Sequence, residues 1–193
     1  MADHSLRTLP LRSLRFLALA ALLPLSAVAQ SAPTVIIIAR HAEKGATPAN
    51  DPPLTDAGVV RAKALAAAVA AAKVQAVITT QLVRTRETGR PAAEAAGLTM
   101  ETVPTGGATE VHAKAVADAA RKHAGKTVLV VGHSNTVMRI VEALGGPKLP
   151  DLCDSQYSGL FTVILDGAST RFVNSTFGAP SPEQPTGCPN TMK

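Results

Sequence analysis

The chain has 193 residues, 46% of them hydrophobic and 17% charged, enough for one globular domain with its own core. Aromatic residues make up only 3%, with no Trp, so stacking on nucleic-acid bases has little material. Residues 1–29 hold three Arg and one Asp of the +5 formal charge; without them 16 basic and 13 acidic residues leave +3. That surplus is too mild for a nucleic-acid partner but suits a small anionic ligand.

Residues 1–29 read as a signal peptide. Arg7, Arg12 and Arg15 precede an apolar run from Phe16 to Val28, and Ala27 and Ala29 offer a small-residue cleavage site before Gln30. The run falls short of the roughly 20 apolar residues a spanning helix needs. Export to the periplasm or secretion is therefore expected, with no stable membrane anchor after cleavage.

The rest of the chain alternates between two patterns. Thr34 to Ile38 is a β-branched run without polar alternation, as in a strand buried on both faces, and it stops at Arg40-His41. After a turn-rich loop from Gly45 to Pro53, Thr55 supplies an N-cap for an Ala-rich helix to about Lys73. Val74 to Ile78 reads as a second strand, ending at Thr79-Thr80. Residues 82–96 read as a helix kinked or broken at Pro91. A short strand from Thr99 to Val103 leads through Gly106-Gly107 to a helix from about Thr109 to His123. Thr127 to Val131 is the fourth strand, followed by Gly132-His133 and a helix capped by Ser134 that closes at Gly145-Gly146-Pro147. Leu160 to Leu165 and Thr170 to Asn174 form a last strand pair around Asp166-Gly167. The tail from Gly178 onward is expected to be loosely ordered.

This alternation predicts an α/β fold: a three-layer α/β/α sandwich around a mostly parallel central sheet. The division is 1–29 signal peptide, 30–177 a single domain, and 178–193 a Pro-rich tail. Cys153 and Cys188 are the only cysteines. In an oxidising compartment the pair reads as one disulfide tying down that tail, contributing about 3–4 kcal/mol on the chain-entropy model. Their spacing suits no metal site. No coiled-coil pattern or amphipathic surplus sets an oligomeric state.

Ligands of such sheets bind beyond the carboxyl ends of the strands. Arg40-His41, the segment Thr80 to Thr88 and Gly132-His133-Ser134 all fall there, after three different strands. Singly they are weak signals: a hydrogen-bonded edge histidine, a solvated face of Arg84, Arg86 and Arg90, a helix start. Together they put two His and two Arg, with few carboxylates, at one edge. Guanidiniums match phosphoryl oxygens, helix N-termini offer N–H groups, and a neutral imidazole can attack phosphorus. On this reading Arg40, Arg84 and a protonated His133 balance the phosphoryl charge, and neither metal nor cofactor is required.

The ordered set Arg40-His41-Ala42-Glu43, Thr80-Gln81-Leu82-Val83-Arg84-Thr85-Arg86-Glu87-Thr88 and Gly132-His133-Ser134-Asn135 resembles the histidine phosphatase superfamily, which includes the phosphoglycerate mutases. The resemblance runs from Val35 to about Gly145. It implies a phosphoglycerate mutase-like fold, phosphorylation of His41, phosphate binding by Arg40, Arg84 and His133, and a small phosphorylated substrate. It also implies an acid between Arg84 and His133, for which Glu110 is the best candidate and His112 the neighbouring alternative. His123 is expected to be structural, and Glu101, in a strand, is disfavoured. Glu43 is expected to buttress the loop and Asn135 to orient His133. Thr80-Gln81 and Glu87 depart from the family's commoner residues, away from the implied phosphate ligands. Two other readings stay open. A phosphomutase would need a larger lid than the 48 residues between Arg84 and His133 provide. A non-catalytic module binding phosphate or phosphoglycans would not need both histidines.

Overall fold

A computed structural model describes residues 32–182. The predicted signal peptide and Cys188 lie outside the described residues, as do residues 183–193 of the predicted tail.

The expected alternation is present. Strand β1 (Thr34–Arg40) precedes helix α1 (Asp56–Val69), extended by one 3-10 turn over Ala70–Ala72. Then come β2 (Ala76–Thr79), α2 (Val83–Ala95), β3 (Glu101–Thr102), α3 (Thr109–Arg121), β4 (Thr127–Gly132) and α4 (Val137–Ala143). A hairpin of β5 (Gly159–Asp166) and β6 (Ser169–Thr176) follows. Thr55 caps α1, its hydroxyl accepting from the Gly58 amide at 3.2 Å.

The six strands form one sheet in the order β3-β2-β4-β1-β5-β6. The first four are parallel, whereas β5 pairs antiparallel with β1 and β6 antiparallel with β5. The sheet is thus mixed rather than mostly parallel. The loop before β5 returns to the carboxyl end of β1, where Arg40 holds its carbonyls, so β5 starts there and runs back against β1. The tight turn at Asp166-Gly167 then makes β6 antiparallel to β5.

Successive β1 residues point to opposite faces, which explains the unbroken apolar run. Ile36 and Ile38 pack with Val128, Val130 and the inner faces of α3 and α4. Ile37 and Ala39 pack with Val77, Leu129, Val131 and residues of α1 and α2. These two cores make the three layers. Each fully buried Ile or Leu in them contributes about 1.5–3 kcal/mol.

Two local expectations are revised. Helix α2 runs through Pro91 without a break. Ser134 does not cap α4: the helix starts after Thr136, whose hydroxyl instead accepts from the His133 amide at 2.9 Å. The start of the predicted loose tail is fastened. The Ser181 hydroxyl accepts from the amides of Tyr157 and Ser158 at 2.8 and 2.9 Å, and Arg61 donates to the Ala179 carbonyl at 2.8 Å.

Candidate active site

The register of the sheet builds the site. Arg40 pairs with Gly132 across β1 and β4, so His41 and His133 leave the ends of two adjacent parallel strands together. The His41 amide donates to the Gly132 carbonyl at 2.9 Å. The ring centroids stand 5.4 Å apart, edge to face. Thr80 follows the paired end of β2 and brings the Thr80–Thr88 segment to the same edge.

His41 is fully buried. Its Nδ1 lies 2.8 Å from the Ala42 carbonyl, which can only accept, so Nδ1 carries the proton. Nε2 therefore holds the lone pair, and it is buried without a hydrogen-bond partner. Burial first, then the charges of Arg40 and His133, pushes His41 well below the ordinary imidazole value. The ring is neutral and its lone pair available.

Three threonines fix the surroundings. The Thr88 hydroxyl donates to the Arg84 carbonyl at 2.7 Å and accepts from the Ala42 amide at 2.9 Å, locking the backbone beside His41 to α2. The Thr80 hydroxyl meets Nε2 of His133 at 3.1 Å and the Thr85 hydroxyl at 2.9 Å. Thr80, not Asn135, orients His133, and Oδ1 of Asn135 is buried without a partner. His133 is pushed down to about 3 by burial, Arg84, His112 and Arg40. This favours the neutral ring while no anion is bound. A bound phosphate dianion acts in the opposite direction.

Of the three helix arginines, Arg84 turns inward and is 6% exposed, while Arg86 and Arg90 face solvent. Asp51 reaches over from the loop after β1. Its Oδ1 accepts from the Val83 amide at 2.9 Å and lies 3.6 Å from Nη1 of Arg84. The amides of Thr85 and Arg86 bond the Leu82 carbonyl at 3.1 and 3.2 Å. With Val83, Thr85 and Arg86 so engaged, the start of α2 offers an anion fewer N–H groups than expected.

Arg40 is used differently from Arg84. Its Nη1 donates to the carbonyls of Cys153, Asp154 and Gln156 at 2.9, 2.8 and 3.1 Å. Its guanidinium lies 4.2 Å over the Tyr157 ring. Arg40 thus anchors the loop before β5 and brings to the site its charge and a buried Nε without a partner. Tyr157, whose ring centroid is 6.4 Å from that of His41, went unnoticed in the sequence, although it is the only Tyr in the chain. Glu43 buttresses the loop by accepting from Nε of Arg61 at 2.8 and 2.9 Å. Burial raises its carboxyl, but the Arg61 hydrogen bonds outweigh that and hold it below the usual range. Cys153 is buried, and the described residues contain no free cysteine.

A cavity of about 420 Å³ opens beside His133, lined by Arg84, His112 and Asn135 and by the loop from Thr105 to Thr109. His41 is not among the lining residues; its ring stands edge to face with that of His133. Glu110 is exposed on the first turn of α3 and does not line the cavity, whereas His112, two residues on, does. His123 pairs with Glu101 at 3.1 Å, remote from these groups in its contacts.

Buried guanidinium charge and two buried imidazoles thus meet at one sheet edge. The resemblance to the histidine phosphatase superfamily is borne out: residues 36–105 match the model of its branch 1. Solved structures share the fold. The protein histidine phosphatase SixA complexed with tungstate superposes with a TM-score of 0.60 at 20% identity, over 74% of this chain and 96% of that one. A mycobacterial glucosyl-3-phosphoglycerate phosphatase gives 0.57 at 14% identity, over 76% and 99%. YhfR of Bacillus stearothermophilus gives 0.57 at 18%, over 72% and 94%. Comparison with curated protein sequences gives no match.

Proposed function

We propose that the chain is an exported, metal-independent phosphatase that hydrolyses phosphomonoesters or phosphoramidates through a phosphohistidine on Nε2 of His41. The observation that carries this reading is the state of His41: Nδ1–H held by the Ala42 carbonyl, Nε2 buried and unpartnered, the ring held neutral beside His133. A module that only bound phosphate would gain nothing from a bare acceptor nitrogen at an anion site. Export rests on the signal-peptide pattern of residues 1–29, and the match to phosphatase folds supports the reaction class.

The phosphoryl group enters from the cavity and meets Arg84 and His133. Nε2 of His41 bonds phosphorus as the bond to the leaving oxygen or nitrogen breaks, the leaving atom takes a proton from solvent in the cavity, and Nδ1–H keeps its carbonyl partner throughout. Arg84 and the charge of Arg40 stabilise the equatorial oxygens, the task a metal performs elsewhere. Water then releases phosphate and restores His41. His41→Ala is expected to lower turnover of p-nitrophenyl phosphate by at least roughly a thousandfold while the circular dichroism spectrum is kept. A folded variant with near-normal turnover refutes the assignment.

A further inference from the structure

We propose that His112 is a third catalytic imidazole of this pocket, taking the proton from the water that hydrolyses the phosphohistidine on His41. The inference rests on the phosphohistidine reading and assigns its second step.

His112 sits on the first turn of α3 and is 3% exposed, at the start of a buried stripe with Ala113, Val116, Ala117 and Ala120. Its stripe neighbours are apolar and pack into the core. His112 instead lines the cavity with Arg84 and His133. Nδ1 lies 3.1 Å from the Pro104 carbonyl, so Nδ1 is the donor and Nε2 holds the lone pair. That Nε2 is buried and has no hydrogen-bond partner. Most buried histidines satisfy both nitrogens, because an orphaned acceptor costs about 1–3 kcal/mol. The arrangement repeats that of His41, with one nitrogen fixed on a backbone carbonyl and the other bare.

The ionisable groups sharing the cavity wall are His133, from the end of β4, and Arg84, from α2. No carboxylate lines that wall, so none competes for the water's proton. Burial lowers His112 from the ordinary imidazole value, only partly offset by the Pro104 hydrogen bond, and keeps it a neutral base.

In the second step the water oxygen bonds phosphorus while the phosphorus–Nε2 bond of His41 breaks, its electron pair returning to Nε2. The water's proton passes to Nε2 of His112 and from there to solvent. Hydrogen phosphate departs and both rings regain their starting form.

His112→Asn tests this step, because the Asn amide keeps an N–H for the Pro104 carbonyl and removes the ring base. Wild type, His112→Asn and His112→Gln are mixed with p-nitrophenyl phosphate, and nitrophenolate release and acid-labile protein phosphate are followed. For both variants we expect a burst of about one equivalent near the wild-type rate, then a steady state roughly 10²- to 10⁴-fold slower. Acid-labile phosphate should accumulate on His41, and added imidazole should restore part of the steady-state rate. Turnover within about twofold of wild type, or burst and steady state slowed alike without accumulated label, would overturn the proposal. Failure of the underlying reading is distinct: His41→Ala would then turn over and no chain would carry the label.

Discussion

Around His41, Thr88, Thr80, Thr85, Asp51 and Arg40 each hold a second group, so the phosphoryl side of the pocket is cross-linked from β1, β2, β4, α2 and the loop before β5. The opposite side, formed by residues 105–109, is fastened at few points. The Gln81 amide bonds the Thr105 backbone through both its nitrogen and its oxygen, at 3.0 and 2.8 Å, and His112 holds Pro104. Between them Gly107 takes a left-handed φ of 70°, with open space where a side chain would stand. In-line displacement needs reacting groups held near attack distance, and that demand falls on the phosphoryl side. The rim at Gly106 and Gly107 has open space where side chains would stand, so little in it is fixed in shape.

That contrast can be broken from the rigid side first. Arg84→Ala should lower kcat/KM for p-nitrophenyl phosphate by roughly 10²- to 10³-fold, and Arg84→Lys should recover only part, since a point charge lacks the planar fork. Equal activity of Arg84→Ala and wild type would remove Arg84 from the phosphate site.

Thr80→Val leaves His133 and Thr85 without their shared hydroxyl. A loss of about 1–3 kcal/mol in denaturant unfolding and a drop in kcat of roughly tenfold are expected, with KM changed less.

Acid sharpens the same comparison without mutation. His41, His112 and His133 all have native pKa values lowered by burial. The unfolded chain therefore takes up protons below about pH 6.5 that the native site refuses, and stability is lost as pH falls through that value. Each imidazole costs up to about 1.4 kcal/mol per pH unit in that window, until its native pKa is reached. Urea midpoints between pH 7 and 5 measure it, and the loss should shrink in His112→Asn. The lowered His41 pKa likewise keeps the nucleophile unprotonated, and kcat/KM should hold into mildly acidic pH.

The smallest effect is expected on the open side. Glu110→Gln changes an exposed side chain off the cavity wall, and kcat should move by less than about twofold. A loss comparable to His112→Asn would return the acid–base role to Glu110.

Much of this site is written locally in the chain, and that part was legible. The run Thr34 to Ile38 is apolar because both sheet faces are covered, and the positions of Arg40, Thr80 and Gly132 at strand ends followed from alternation alone. What the sequence hid depends on tertiary pairing. Whether β5 runs with or against β1 is decided by which end of β1 the preceding loop reaches, and that loop is held at the Arg40 end. The Arg40 side chain is committed to carbonyls more than a hundred residues away, and no local pattern encodes that. Thr80, Thr85 and Thr88 lay in view within the quoted segment, but their hydroxyls gain meaning only once α2 sits under Ala42. The different placement of Glu110 and His112 follows from helical phase. The two differ by two residues, about 200° around α3, so one meets solvent and the other the pocket.

The central claim is a covalent bond between phosphorus and one ring nitrogen. Wild type and His41→Ala should be quenched in alkali during turnover of a radiolabelled aryl phosphate, and the label mapped by proteolysis. The account predicts acid-labile, alkali-stable phosphate on the peptide containing His41, absent from the variant. Label on any other residue, or turnover in the variant with none on the wild type, would contradict it.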